Sequence, residues 1–188
     1  MPSWTSNLTA RGTMAGPAGL ALADIPDRVI AFIIDAIILG VIGYVIGIIT
    51  TSILGDNLLG GIFGTNLRVP SLLSTIVAVA LLAAVSFGYF VYTWLKMGGQ
   101  TLGQKVMKLR VVDGATGGPL SQGQAINRWL TLGLPLALYQ FYAWSIIGWL
   151  IWLVSLGFLI YLLITTAQSP TRQGFHDKYA KTAVAKVM

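Results

Sequence analysis

The residues with the clearest chemical potential are an arginine and an aspartate in one long apolar segment. Arg28 lies at the start of this segment, and Asp35 is the only charged residue between positions 29 and 54. At about 100° per residue, the spacing puts both side chains on nearly one helical face, with Asp35 two turns deeper. A carboxylate inside a bilayer costs about 3 kcal/mol unless it is neutral or paired. Asp35 is therefore either a structural partner of a cation or a group that handles an ion or a proton, and we favour the structural interpretation.

An arginine from a later segment is the expected partner of Asp35. Arg128 opens the third apolar segment of the chain, on the side of the membrane where Arg28 is expected. An arginine at a helix end can extend its apolar stem along the helix and place its guanidinium at a different depth. We therefore predict an ion pair between Asp35 and Arg128.

A second face of the first apolar segment carries small residues. Ala36, Gly40, Gly43 and Gly47 recur at helical spacing, which lets another backbone approach closely. This face either packs within the protein or binds a partner protein or a second copy of the chain, and the sequence leaves both alternatives open.

Composition excludes most catalytic and metal chemistry. The chain has 188 residues, of which 55% are hydrophobic and 10% charged, a balance typical of a polytopic membrane protein. It has no cysteine and one histidine, His176, so thiolate chemistry, histidine triads and His/Cys metal sites lack their residues. His176 with Asp177 is the best catalytic candidate, but neighbouring residues diverge by about 100° on a helix, which favours a cap or a clamp. We expect no enzymatic activity, no metal and no cofactor.

Four apolar segments predict four transmembrane helices, at about 29–54, 71–95, 125–142 and 144–166. The last two come from one almost uncharged run that is too long for a single crossing. An aromatic cluster divides this run, as expected at a membrane interface, and consists of Tyr139, Phe141, Tyr142 and Trp144.

The loop 96–124 and the tail 167–188 have a soluble character. Thr101 with Gln104 and Ser121 with Gln124 fit capping boxes and predict two helix starts. Residues 109–112 are strand-like and could pair with 182–187. The predicted fold is an all-α membrane protein with four transmembrane helices and a small cytoplasmic cap that contains a short two-stranded β pairing. Residues 1–23 lack an apolar period, so we expect them to be disordered unless a partner protein holds them.

The basic residues predict the topology. All 12 lysines and arginines except Arg68 fall in the N-terminal tail, the 96–124 loop, the C-terminal tail or the helix ends beside them. That asymmetry puts both termini in the cytoplasm of a bacterial-type inner (plasma) membrane. The net charge of +6 is explained by this topology, so we expect no nucleic-acid partner. Lys105, Lys108 and Arg110 form a basic patch that could bind anionic lipid at about 1 kcal/mol each.

Three stretches resemble the RDD family of membrane proteins, which is named for one arginine and two aspartates. They read DRVIAFIID, GGQTLGQKVMKLRVVDGATGGPLSQGQAINR and RQGFHDKYAKTAV. In this resemblance Arg28 is the arginine and Asp35 the first aspartate, while the second is either Asp113 or Asp177. The resemblance begins after the tail, so residues 24–188 form the expected membrane domain.

The resemblance implies two functions without deciding between them. Transport of unidentified ligands has been proposed for the family, and some relatives are described as cation/proton antiporters, which would use Asp35 here. The alternative is a non-catalytic accessory or assembly subunit of a larger membrane complex, such as a respiratory one. We favour the accessory subunit, because the chain is small, lacks catalytic groups and has a glycine-lined helix face.

Overall fold

The computed structural model describes residues 14–57, 68–139 and 146–187. Most of the described residues are helical. Three of the α-helices, the first, second and sixth in chain order, are long and apolar enough to cross a membrane. In chain order the α-helices are α1 (Ile25–Leu54), α2 (Leu72–Lys96), α3 (Leu102–Val106), α4 (Gln122–Arg128), α5 (Leu134–Tyr139), α6 (Ile146–Gln168) and α7 (Phe175–Tyr179). The predicted spans 29–54, 71–95 and 144–166 correspond to α1, α2 and α6.

Local capping fixes where the first two long helices begin. The Asp24 carboxylate accepts a hydrogen bond of 3.2 Å from the backbone N–H of Asp27, and Pro26 occupies the first turn of α1. Ser71 and Ser74 form a reciprocal capping box at the start of α2. Both starts satisfy amides that would otherwise enter the bilayer without partners.

The third predicted span, 125–142, differs from a regular transmembrane helix. Its described part consists of α4, a π-helical turn at Trp129–Gly133, and α5. Pro135 explains the widened turn, because it cannot donate to the carbonyl of Thr131 and its ring would collide with that carbonyl in a regular helix. This segment is not among the three long apolar helices. The aromatic return at 141–144 lies outside the described residues.

The sheet is larger than the predicted two-stranded pairing. The strands are β1 (Met14–Ala15), β2 (Ala21–Leu22), β3 (Asp56–Asn57), β4 (Arg68–Val69), β5 (Leu109–Asp113) and β6 (Thr182–Lys186). β5 pairs with β6 as predicted, and an antiparallel sheet continues in the order β1-β2-β6-β5. β3 and β4 form a separate short hairpin at the other end of α1 and α2.

The prediction that the N-terminal tail is disordered needs a correction at residues 14–22. β1 pairs with β2, and Leu22 of β2 pairs with Ala185 of β6, so residues 14–22 have a defined structure within this chain and the expected disorder does not apply to them. The sheet thus includes residues ahead of position 24, the predicted start of the membrane domain. Residues 1–13 of the predicted tail lie outside the described ranges.

Two copies of one motif build most of this sheet. α3 leads into β5 through Lys108, and α7 leads into β6 through Lys181, both with left-handed backbones (φ of 53° and 55°). Val111 and Val184 pair with each other at the centre of the two strands. The flanking hydrogen bonds are reciprocal: Gly114 donates to the Lys181 carbonyl, and Val187 donates to the Lys108 carbonyl. An approximate twofold axis therefore relates the two helix–strand motifs. We call the four-stranded sheet with α3 and α7 the cap.

The hydrophobic core lies between the cap and the long helices. Leu109, Val111 and Val184 from the sheet pack with Phe90 and Trp94 from the end of α2, all at most 3% exposed. Burial of these side chains anchors the cap to the helices, because each contributes about 1.5–3 kcal/mol.

Candidate functional site at the junction of the cap and the helices

Asp35 of α1 is buried against the cap and bound by three donors. Asp35 is 3% exposed. Its Oδ1 accepts hydrogen bonds from the Tyr89 hydroxyl (2.6 Å) and the Gly103 backbone N–H (2.9 Å). Its Oδ2 accepts from the Thr101 hydroxyl at 2.6 Å. Charge-assisted hydrogen bonds of this kind offset the cost of burying a carboxylate.

The short helix α3 brings these donors to Asp35. Thr101 caps α3 in a reciprocal box with Gln104, as the sequence predicts. Gln104 is held in turn by the Trp94 indole N–H at 3.2 Å. Gly103 allows the contact, since a Cβ there would collide with the backbone oxygen of Ala31 and come within 3.0 Å of the Asp35 carboxyl carbon.

The predicted pair between Asp35 and Arg128 is wrong. Among the described residues, Arg128 makes its ion pair with Asp177. Asp35 is instead satisfied by two hydroxyls and an amide that the sequence analysis did not assign to it. The capping box had already identified Thr101 and Gln104 as the start of a helix, but nothing local indicated that this helix would face α1.

Asp177 lies at the centre of an ion-pair cluster. Its carboxylate is fully buried and binds two guanidiniums, Arg128 through Oδ1 and Arg28 through Oδ2 at 3.0 Å. Asp177 also accepts from the Gly174 N–H at 3.3 Å, which caps α7. The structure thus joins Arg28 of α1, Arg128 of α4 and Asp177 of α7, residues that are far apart in the sequence.

The two arginines also contact backbone oxygens, a hydroxyl and an aromatic ring. Arg28 donates to the carbonyls of Arg172 (2.6 Å) and Val184 (3.2 Å). Arg128 donates to the Thr182 hydroxyl at 2.7 Å, and its guanidinium lies 5.4 Å from the centre of the Trp94 ring. A cation over the face of an indole is attractive.

Electrostatics in this cluster follow from burial and from the two guanidiniums. Burial alone would raise the pKa of Asp177, but Arg128, His176 and Arg28 together hold it well below its usual value. Burial lowers the pKa of His176 to about 4, and the nearby arginines add to this effect against the opposing attraction of Asp177. At neutral pH the cluster therefore contains a carboxylate, two guanidiniums and a neutral imidazole.

Asp113, the other candidate for the second family aspartate, has a local role. At the end of β5 its Oδ1 accepts from the backbone N–H groups of Ala115 and Thr116, and its Oδ2 accepts from the Gln124 amide at 2.5 Å. These hydrogen bonds, that from the Thr116 backbone first, lower the pKa of Asp113 to about 2. Asp113 thus shapes the turn that leads to α4 and does not join the Asp177 cluster.

The remaining predicted site residues lie outside both clusters. Gly40, Gly43 and Gly47 are half-buried along α1, and a Cβ at Gly47 would meet nothing within 4 Å. Close packing within the described chain therefore does not require glycine at position 47. The basic patch is split, since Lys105 and Lys108 are exposed whereas Arg110 is half-buried.

Residues of both polar clusters line a cavity of about 380 Å³. Its lining is mostly apolar and comes mainly from α1 and α6, with Phe32 and Leu159 among the lining residues. The polar side chains that line it are Arg28, Asp35, Gln104, Arg128, Thr166 and His176. Among the residues that the structure describes, no group of three or more His, Cys, Asp or Glu side chains could hold a metal ion.

The chain matches the model of the RDD family over residues 22–181, which include Arg28, Asp35, Asp113 and Asp177. The chain belongs to the RDD family. No curated protein and no solved structure matches it. In this RDD protein, Arg28 and Asp35 fasten α1 to opposite motifs of the cap: Arg28 binds Asp177 of α7, and Asp35 binds the start of α3. Sequence reasoning missed Tyr89, which is one residue in an aromatic run otherwise typical of a membrane interface.

Proposed function

We propose that this RDD protein is a four-pass inner-membrane protein that acts as a non-catalytic accessory or assembly subunit of a larger membrane complex. The observation that carries this proposal is that donors within the same chain bind both the carboxylate inside α1 and the carboxylate at the centre of the cap's ion-pair cluster. Asp35 and Asp177 both have their carboxylates bound by donors of the same chain, which ties the cap to the helices. Such an arrangement fixes shape and leaves neither carboxylate free to work as a nucleophile or a base.

The sheet order supports the proposed topology. β2 precedes α1, β5 follows α2 and β6 follows α6, yet all three strands belong to one sheet. The chain must leave this sheet and return to it twice, which fits four crossings with 125–142 as the third. The basic residues then assign the side of the cap to the cytoplasm.

Cysteine labelling tests this topology, because the natural chain has no cysteine. Gly123→Cys lies in the segment after β5, where a Cβ meets nothing within 4 Å. Leu72→Cys lies at the first residue of α2, far from the cap in the sequence, and the Leu72 side chain is 78% exposed. A membrane-impermeant maleimide applied to intact spheroplasts should label Leu72→Cys and should reach Gly123→Cys only after permeabilisation. The reverse pattern would contradict the proposed orientation, and labelling of both in intact cells would contradict the crossing.

The outer faces of the long helices support a role next to other membrane proteins. Large apolar side chains are exposed along α1, among them Ile37 (61%), Val41 (61%) and Tyr44 (71%), and the open space at Gly47 lies on the same helix. In a bilayer this surface contacts either lipid or another protein, and small residues let a second helix approach closely.

Gentle extraction in a mild detergent, followed by mass spectrometry of the copurified proteins, tests the accessory role. We expect a membrane partner to copurify with the wild type and with Gly157→Leu, and to be depleted with Gly47→Leu. Gly157 is a matched control on α6, since a Cβ there also meets nothing within 4 Å. Recovery of the wild type only as a monomer or homo-oligomer would contradict an accessory role.

A small transporter is the second candidate, because Asp35 lines the cavity as well as binding the cap. An ion or proton that reached this cavity would meet a buried carboxylate, as in membrane proteins that move protons. In proteoliposomes, the wild type would then drive a pH-dependent cation flux that Asp35→Asn abolishes. Wild-type protein with no flux above that of empty vesicles excludes this candidate.

A further inference from the structure

The cavity beside the ion-pair cluster has the size and lining of a binding site. At about 380 Å³ it falls within the range of small-molecule sites, which are mostly apolar with a few placed polar groups. Leucines supply much of the apolar lining, namely Leu132, Leu136, Leu156, Leu159, Leu162 and Leu163. Three polar side chains that meet at Asp177, namely Arg28, Arg128 and His176, also line the cavity and define one end of it.

That end carries more positive than negative charge. Arg28 and Arg128 share the single carboxylate of Asp177, and the His176 ring is neutral at pH 7. The buried Nε atoms of both arginines and the Nδ1 atom of His176 have no hydrogen-bond partner among the described residues. Buried polar atoms without partners cost about 1–3 kcal/mol each, so an anionic group at this end would add a missing partner.

The other acidic groups nearby do not remove this excess. Asp24 and Asp27 do not line the cavity, and both lie within 4 Å of the Lys186 ammonium, at 3.7 and 3.0 Å. Asp35 does line it, but its oxygens already accept three hydrogen bonds, and it lies about 10 Å from Arg28 along α1. The cavity thus has an apolar body and a cationic end.

We propose that this cavity binds one acyl chain of a membrane phospholipid, with the lipid phosphate against Arg28 and Arg128. The apolar walls receive the chain, and the guanidiniums donate to the phosphate oxygens, which arginine suits geometrically. The surrounding bilayer supplies this ligand at high local concentration. The site differs from the exposed patch of Lys105 and Lys108, because it combines largely buried arginines with an apolar lining and therefore takes an acyl chain as well as a headgroup.

Native mass spectrometry of the purified protein, after exchange into a lipid-free mild detergent, tests whether a lipid acyl chain occupies the cavity. We expect about one phospholipid to stay bound to the wild type. Leu159→Trp fills the cavity and should reduce the retained lipid about tenfold or more. Leu153→Trp is the matched control, since Leu153 is 53% exposed on the outer face of the same helix and does not line the cavity. Equal retention in both variants, or no retained lipid in the wild type, would overturn the proposal.

A second arm uses only the wild-type protein, so it does not depend on the folding of a variant. The delipidated protein is offered dioleoylphosphatidylglycerol or dioleoylglycerol, which have the same chains but differ in the phosphate. We expect the phospholipid to be retained at least about tenfold more, because charge-assisted hydrogen bonds to the arginines are absent with dioleoylglycerol. Equal retention of the two lipids would refute the role of Arg28 and Arg128.

Discussion

Replacing Gly103 by alanine should separate the cap from α1. The backbone N–H of Gly103 donates to Asp35, and the space beside its Cα is filled by the Ala31 backbone oxygen and the Asp35 carboxyl carbon. A methyl group there has no flexible neighbour to displace, so α3 must move away from α1. The Gly103 and Thr101 hydrogen bonds to Asp35 lengthen together, because both donors belong to the first turn of α3 and its cap.

The expected loss can be worked from these contacts. Each hydrogen bond to a charged group contributes about 1.5–3 kcal/mol. Two weakened bonds, together with a buried carboxylate that keeps only Tyr89, predict a loss of about 3 kcal/mol in the free energy of unfolding. Helix propensity predicts the opposite sign, since alanine is favoured over glycine inside a helix by about 1 kcal/mol.

Reversible unfolding in mixed detergent micelles, followed by tryptophan fluorescence, measures this difference. Gly123→Ala is the matched control, because Gly123 also lies in a short capped helix but a Cβ there meets nothing within 4 Å. We expect Gly123→Ala to gain up to about 1 kcal/mol while Gly103→Ala loses about 3. If Gly103→Ala were as stable as Gly123→Ala, the close approach of α3 to α1 would be refuted.

Three further predictions concern the rest of the cap. Asp177→Asn leaves two buried guanidiniums without a carboxylate and should cost about 3–5 kcal/mol in the same micelle assay. His176 has an ordinary pKa of 6.5 and a folded pKa of about 4, so between these pH values the unfolded chain binds more protons than the folded chain. The free energy of unfolding should therefore fall by up to about 3 kcal/mol as the pH drops from 6.5 to 4. His176→Gln should flatten this dependence in a pH series. Lys108→Gly and Lys181→Gly each relieve a left-handed backbone and should gain about 0.5–1 kcal/mol, measured singly and together.

Each of these predictions has a control or a contradicting result. Asp113→Asn is the control for Asp177→Asn, because it changes an aspartate in a surface turn, and it should lower the free energy of unfolding by about 1 kcal/mol or less. A loss equal to that of Asp177→Asn would contradict a special role of the ion-pair cluster. An unchanged slope between pH 6.5 and 4 in His176→Gln would assign the pH dependence to another group. A loss of stability in both lysine variants would contradict the strain argument.

The features that depend on neighbouring residues could be predicted from the sequence. The Asp24 cap and the boxes at Thr101 and Ser121 are decided within four positions, so the helix starts at α1, α3 and α4 follow from local chemistry. The pairing of β5 with β6 could also be predicted, since both strands are short apolar runs next to turn or cap signals.

The partners of the buried charges could not be predicted, because they depend on how distant segments pack. Arg128 had two carboxylates within plausible reach, and the fold placed Asp177 beside it and α3 beside Asp35. The four-stranded sheet was missed because residues 14–22 show no strand period, and their link to β6 is a pairing between residues far apart in the sequence. One signal was overlooked, namely the shared Lys-x-x-Lys spacing before both strands, at Lys105 with Lys108 and Lys178 with Lys181.

The position of β6 between β2 and β5 sets the order in which the protein can assemble during translation. β2 and β5 have no ladder with each other, so the N-terminal strands and the central loop remain unjoined until residues 182–186 leave the ribosome. The long helices that precede β6 in the chain must therefore be made before the sheet that joins these segments is complete. Until the C-terminal segment follows, Arg28 and Arg128 also lack the Asp177 carboxylate that binds them in the folded protein.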